Sequence, residues 1–188
     1  MKLKFFFTTL LLFPIFCFAQ NNTAVYASSS LNIGNNIGLD LDLNFIFNNK
    51  YTLSTGIKEQ LSINKDFPDD YGGDLDFFSD IESMNTFYLL GGVVHQMDNT
   101  VRFNLQGGIG SSLVYTQGNF VREGKATINR YEYSYDEIKD RVTSLILRPK
   151  LEITAPNVIG FYLYAELIAN KYNSYYGAGI GIMFGKVR

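Results

Sequence analysis

The stretch Gly38-Leu-Asp-Leu-Asp-Leu-Asn-Phe-Ile-Phe47 decides the fold. Leu39, Leu41, Leu43, Phe45 and Phe47 alternate with Asp40, Asp42 and Asn44. A repeat of two sends the two sets to opposite faces of an extended strand, whereas a helix would mix them around one cylinder. One face is therefore apolar and the other acidic, and the two faces must meet different surroundings.

The same period recurs along the chain. In Val101–Thr116, Val101, Phe103, Leu105, Ile109, Leu113 and Tyr115 oppose Arg102, Asn104, Gln106, Gly108, Gly110 and Ser112. In Ser144–Ala155, Leu145, Leu147, Pro149, Leu151 and Ile153 oppose Arg148, Lys150, Glu152 and Thr154. In Ile159–Asn170, Phe161, Leu163, Ala165 and Leu167 oppose Tyr162, Tyr164, Glu166 and Asn170. In Tyr175–Gly185, Tyr176, Ala178, Ile180, Ile182 and Phe184 oppose Gly177, Gly179, Gly181 and Gly185. Thr23–Ile33, Tyr51–Ile63 and Asn85–Met97 alternate more weakly. The sum is eight strands, most of them longer than the roughly 5–6 residues usual in globular sheets. Membrane-crossing strands need about 9–11 residues.

Connection lengths agree. Asn48-Asn49-Lys50, Asp98-Asn99-Thr100 and Pro156-Asn157 are tight turns in turn-forming residues. The long connections, 64–83 and 118–141, fall at the other end, beside short ones near Asn35 and Lys171–Ser174. Short turns at one end and long loops at the other is the arrangement of outer-membrane barrels. Pro149 inside a strand removes one ladder hydrogen bond, which a local bulge would absorb. Glu59 falls on an apolar face and belongs near the outer interface, where charge is cheaper.

Met1–Ala19 has a short basic start, an apolar run from Phe5 to Phe18 and a small residue at the expected cut, the pattern of a secretory signal peptide. The apolar run of about 14 residues is short for a bilayer-spanning helix. Cleavage would remove Cys17, the single cysteine, so the exported chain would hold no disulfide. It would also remove Lys2 and Lys4 and enlarge the surplus of 18 acidic over 16 basic residues. Such a balance is the reverse of a nucleic-acid binder's. The charged fraction of 18% lies below the roughly 25% of soluble domains, beside 16 Phe, 13 Tyr and 17 Gly. The aromatics are expected on the lipid-facing side and in the interfacial girdles, the glycines in a crowded interior.

Residues 20–188 thus read as one all-β domain, an eight-stranded antiparallel up-and-down transmembrane β-barrel. The last strand, Gly177-Ala-Gly-Ile-Gly-Ile-Met-Phe184, is similar to the terminal strand that such proteins show to the barrel-insertion machinery. On this architecture the chain resembles the small outer-membrane β-barrel proteins of Gram-negative bacteria, of the OmpX/OmpA-barrel type. It departs from them by adding Gly185-Lys-Val-Arg188 after the final aromatic residue. The resemblance implies location in the cell outer membrane, contact with outer-membrane lipid and with the insertion machinery, and a structural or surface-interaction role without catalysis or cofactor. An extracellular ligand or an export-complex partner would meet the external loops.

Eight strands enclose only enough room for side chains. Asp40, Asp42, Arg102, Arg148, Lys150, Glu152 and Glu166 share the polar faces and are expected to pair as an ionic plug, because an unpaired buried charge is very costly. The glycines would make room for these long side chains. Loop 64–83 holds Asp69, Asp70, Asp74 and Asp76, whose oxygens suit a divalent cation, although their spacing is not that of an EF-hand. Tyr131, Tyr133 and Tyr135 alternate within 118–141, where strands 5 and 6 would continue outward as a hairpin and offer a recognition surface. Two rival functions follow from the same residues. One is an outer-membrane lipid-modifying enzyme. Some barrels of this size are lipid A deacylases that use a His and a Ser two residues apart, but His95-Gln96-Met97 lacks the Ser. The other is a soluble periplasmic barrel that binds an apolar ligand, with Leu39, Leu41 and Leu43 turned inward. With one His and, after cleavage, no Cys, the exported chain is not expected to hold a zinc site.

Overall fold

The computed structural model describes residues 23–63, 81–127, 130–154, 158–172 and 174–187, together with Pro68. The signal-peptide segment and Asp69, Asp70, Asp74 and Asp76 lie outside the described residues. The strands are β1 (Thr23–Gly34), β2 (Ile37–Phe47), β3 (Tyr51–Ile63), β4 (Ile81–Gln96), β5 (Val101–Thr127), β6 (Arg130–Ile153), β7 (Ile159–Ala169) and β8 (Ser174–Lys186). Each pairs antiparallel with its neighbour in sequence. The ring closes where Val25 to Gly34 of β1 pair with Gly177 to Lys186 of β8. Closure leaves no open edge around the wall.

The alternation seen in the sequence becomes inside and outside. Leu39, Leu41 and Leu43 are more than half exposed, while Asp40, Asp42 and Asn44 are buried between them. Phe87, Ile109, Leu145, Leu163 and Ile180 continue the exposed apolar belt on other strands. Glu59 is exposed on the outer face, opposite Leu39 and Asn85.

Two expectations need correction, those for the start of strand 4 and for Pro149. Strand 4 starts at Ile81 rather than Asn85 and takes in residues 81–83 of the expected loop 64–83. Segment 118–141 is mostly strand, the expected outward continuation of strands 5 and 6: β5 runs 27 residues and β6 24. Their backbone groups satisfy one another beyond the rim, as the alternating Tyr131-Glu-Tyr-Ser-Tyr135 permits. Pro149 causes no bulge. The β6–β7 ladder stops after Leu147↔Leu167 and resumes at Lys150↔Tyr164 in unchanged register. The imino nitrogen has no hydrogen to donate, so the pairing is skipped there without an added residue.

Pairing of β4 with β5 ends at Ser83↔Tyr115, and pairing of β6 with β7 begins at Leu145↔Ala169. Beyond those points β5 and β6 pair only with each other. They form a two-stranded ribbon that rises roughly 40 Å at about 3.3 Å per residue. Register shifts between Gly118 and Val121, Arg122 and Gly124, and Lys125 and Thr127 add twist to it.

Candidate functional site: the charged interior and the projecting ribbon

All seven charged residues expected inside are buried, and the structure adds an eighth, Lys58 on β3. Four cations thus meet four carboxylates. Six of them form one cluster at mid-barrel. Arg148 from β6 lies at its centre: Nη2 is 2.7 Å from Asp40 Oδ2, Nη1 is 3.1 Å from Asp42 Oδ1, and Nε donates to Glu166 Oε1 at 2.5 Å. Lys58 bridges Asp40 (3.2 Å) and Glu166. Lys150 approaches Asp42 Oδ2 at 3.4 Å. The cluster therefore carries three positive and three negative charges within mutual reach. The remaining pair, Arg102 and Glu152, sits nearer the short turns. Tyr26 OH and Asn104 Nδ2 both donate to Glu152 Oε1, at 2.8 and 3.1 Å.

Sequence reasoning missed Lys58 because β3 alternates weakly. The signal was present nonetheless: Lys58 lies two residues from Gln60 and next to outward Glu59, on the face opposite Leu53 and Ile57. Reasoning also misplaced part of the aromatic content. Among the described residues every buried aromatic is a tyrosine: Tyr26, Tyr88, Tyr162, Tyr164 and Tyr175. A phenol can fill the lumen and still reach a polar partner, which a phenylalanine ring cannot. Tyr88 OH donates to Asp40, Tyr175 OH to Asn32 Oδ1 at 2.6 Å, and Ser30 Oγ to Tyr164 OH at 3.1 Å. Cations lie over these rings: Arg148 4.7 Å from the Tyr88 centroid and Lys150 5.0 Å from that of Tyr162. The glycines of β8 make room for these rings rather than for arginine or lysine. A Cβ at Gly177, Gly179 or Gly181 would run into Tyr175, Tyr164 or Tyr162 respectively.

Two apolar groups bracket the charges. Met84, Tyr88, Leu90, Ile146, Ile168 and Tyr175 pack together toward the ribbon end. Ala24, Tyr26, Ile46, Val94, Tyr162, Tyr164, Met183 and Val187 pack together toward the other. With every charge opposed and the space between filled by rings, the arrangement can hold a barrel shut. Among the described residues no His, Cys, Asp and Glu are grouped to hold a metal ion. His95 is exposed on the outer face, one residue from the 97–100 turn region.

On the ribbon, the Arg122 guanidinium lies 3.6 Å from the Tyr131 ring centroid, and its Nε donates to Tyr133 OH at 3.3 Å. Phe120 and Tyr135 meet with centroids 5.8 Å apart. All three tyrosines are half-buried against such neighbours. At the ribbon's foot, Asp140 accepts from Lys171 Nζ at 2.7 Å and from Tyr172 OH at 2.5 Å. These hydrogen bonds, joined by one from the Arg141 amide, hold the Asp140 carboxyl down at about 2.

No protein-family model and no curated protein matches the chain. Solved structures do. The N-terminal β-barrel domain of Pseudomonas aeruginosa OprF aligns with a TM-score of 0.58 at 9% identity, covering 87% of this chain and 97% of that one. Ail, the attachment invasion locus protein of Yersinia pestis, aligns with a TM-score of 0.50 at 12% identity, covering 86% and 95%. The fold is that of the small eight-stranded outer-membrane barrels.

Proposed function

We propose that the chain is a non-enzymatic outer-membrane protein whose barrel anchors a projecting β-ribbon, and that the ribbon engages a partner outside the cell. The observation that carries the reading is the division between the two barrel faces. A continuous belt of exposed apolar side chains surrounds an interior whose four cations oppose four carboxylates. Lipid is the surrounding that such a belt fits, since soluble monomers rarely expose apolar patches above a few hundred Å². The interior serves as a plug. Recognition belongs to Tyr131, Tyr133 and Tyr135 with Arg122, which offer aromatic area and hydrogen-bonding capacity on a ribbon with two free edges. A ligand at the cell surface or a component of an export complex would meet them there.

The rival readings have less support. A soluble barrel with an apolar ligand inside needs Leu39, Leu41 and Leu43 turned inward, and they face out. A lipid-modifying enzyme needs a base and a nucleophile together, and His95 stands apart from any Ser on its strand. Cell fractionation with electrophoresis of heated and unheated samples tests the proposal. The protein should appear in the outer-membrane fraction and change mobility on heating. Recovery from the periplasm without detergent would refute it. Lipid hydrolysis by the purified barrel, lost in His95→Ala, would favour the enzyme instead.

A further inference from the structure

The residues after Phe184 do not trail away from the barrel. Gly185 has φ +127°, a backbone conformation that glycine adopts and side-chain-bearing residues rarely do. A Cβ there would also come within 2.7 Å of the Val25 carbonyl oxygen. The Gly185 amide donates to Val158 O and the Val187 amide to Gly185 O, each at 2.9 Å, so the chain turns tightly at the rim. Lys186 stays exposed, and Val187 ends fully buried. Its side chain joins the cluster of Ala24 and Tyr26 from β1, Ile46 from β2, Val94 from β4, Tyr162 and Tyr164 from β7 and Met183 from β8. Its carbonyl accepts from Arg102 Nη1 of β5 at 2.7 Å.

We propose that the turn-side mouth of the barrel is a binding seat whose occupant is the chain's own segment Gly185–Val187, which stoppers the lumen at that end. The seat suits this occupant in three ways. Its wall is apolar where Val187 enters. Its guanidinium, already committed to Glu152, has a donor left for one backbone carbonyl. Its rim admits the entering chain only because residue 185 lacks a side chain. The seat draws on six strands, including both β1 and β8, and so exists only once the ring has closed. Gly185 and Lys186 join the closing ladder opposite Tyr26 and Val25, so Val187 docks last and marks closure. The outward face of Ile180, Ile182 and Phe184 is left untouched by this docking, so the residues that resemble an insertion signal remain available beforehand.

The inference rests on the membrane-barrel reading, and its test separates the two. A single reporter cysteine, Ala24→Cys, is placed in a Cys17→Ser background and treated with a charged methanethiosulfonate in detergent. Ser144→Cys, buried at the opposite end, is the control. With the native segment both cysteines should react slowly. Val187→Asp and Gly185→Ala should each speed labelling of Ala24→Cys about tenfold or more, since labelling follows the open population, and leave Ser144→Cys unchanged. Labelling of Ala24→Cys at the native rate in barrels that keep their heat-dependent mobility shift would overturn the proposal. Where Val187→Asp does not fold, Val187→Ala removes only two methyl groups and decides the question in the same way. Failure of the membrane reading would look different: no heat shift and no need of detergent, whatever residue stands at 187.

Discussion

At the scale of single residues, Arg148 is the position on which the interior depends. It contacts Asp40, Asp42 and Glu166, all buried, and among the described residues no other cation is ion-paired with all three. Arg148→Ala leaves three carboxylates facing Lys58 and Lys150, a surplus of one negative charge out of water. Loss of one partner from a buried ionic cluster costs about 3–5 kcal/mol. Urea unfolding in lipid vesicles at neutral pH should show a loss of that order. A loss under 1 kcal/mol would mean that the charges are hydrated rather than mutually held. Tyr164 supplies a second case. Its ring occupies the space over Gly179, so Gly179→Val should destabilise by roughly 1–3 kcal/mol through overpacking. Tyr164→Ala should rescue part of that loss in the double variant, the close approach to the Leu31 carbonyl at 2.5 Å remaining, and strict additivity of the two losses would count against the contact. The charges themselves were legible in the sequence, because alternation alone turns Asp40, Asp42, Arg148 and Glu166 inward. Which cation meets which acid was not, since the pairs join residues up to 108 positions apart, as Lys58 and Glu166 are, and only the folded barrel brings them together.

At the scale of elements, the ribbon is separable from the wall. Residues 116–138 pair with no barrel strand, and Tyr115 faces Lys139 across the last rung at the rim. Replacing 116–138 with an Asn-Gly turn should leave a barrel that keeps its heat-dependent mobility shift while losing partner binding. Collapse of the barrel would show that the ribbon belongs to the fold. Its foot is tied by Asp140 to Lys171 and Tyr172 in the β7–β8 connection. The Asp140 carboxyl is depressed from 3.8 to about 2. A depressed acid contributes its stabilisation above its unfolded value and loses it as pH falls through the folded one. The tie should therefore persist at pH 5 and give way between about pH 4 and pH 2. Carboxyl NMR should place the Asp140 midpoint near 2 in the native protein and closer to 3.8 in Lys171→Ala. An unchanged midpoint would show that the lysine does not hold it. The strands themselves were readable in outline from period and turn residues. Their ends in the ribbon were less so, because above the rim neither lipid nor lumen enforces alternation and the register shifts at Gly118 and Arg122 break it.

At the scale of the whole molecule, the low charge fraction and the abundance of aromatics follow from one wall with two surroundings. Among the described residues the buried rings are all tyrosines, and Tyr26, Tyr88, Tyr164 and Tyr175 each find a polar partner for the hydroxyl, while the exposed belt carries Phe87, Phe161 and Phe184, where none is needed. The glycines of β8 form the notches between them. This division makes the orientation of the wall testable at two adjacent residues. Leu147 is about half exposed on the belt, and Ile146 is buried with Leu90, Ile168 and Tyr175. In a membrane barrel, Leu147→Arg places a guanidinium in hydrocarbon and should cost roughly 2–4 kcal/mol near the bilayer midplane. In a barrel surrounded by water the same change would place that charge in solvent and cost almost nothing. Leu147→Ser sharpens the contrast, because it removes apolar surface without adding a charge. In lipid it should destabilise less than the arginine variant does, and in water both should be neutral. Ile146→Ala cuts a packed interior side chain and should cost about 2–5 kcal/mol in either setting, which fixes the scale of the measurement. Vesicle unfolding of the four proteins then decides the matter by rank. Arginine and alanine variants both well below the native protein, with serine between, place the belt in lipid. An arginine variant as stable as the native protein beside a weakened alanine variant would place the belt in water and leave the membrane reading without its main support.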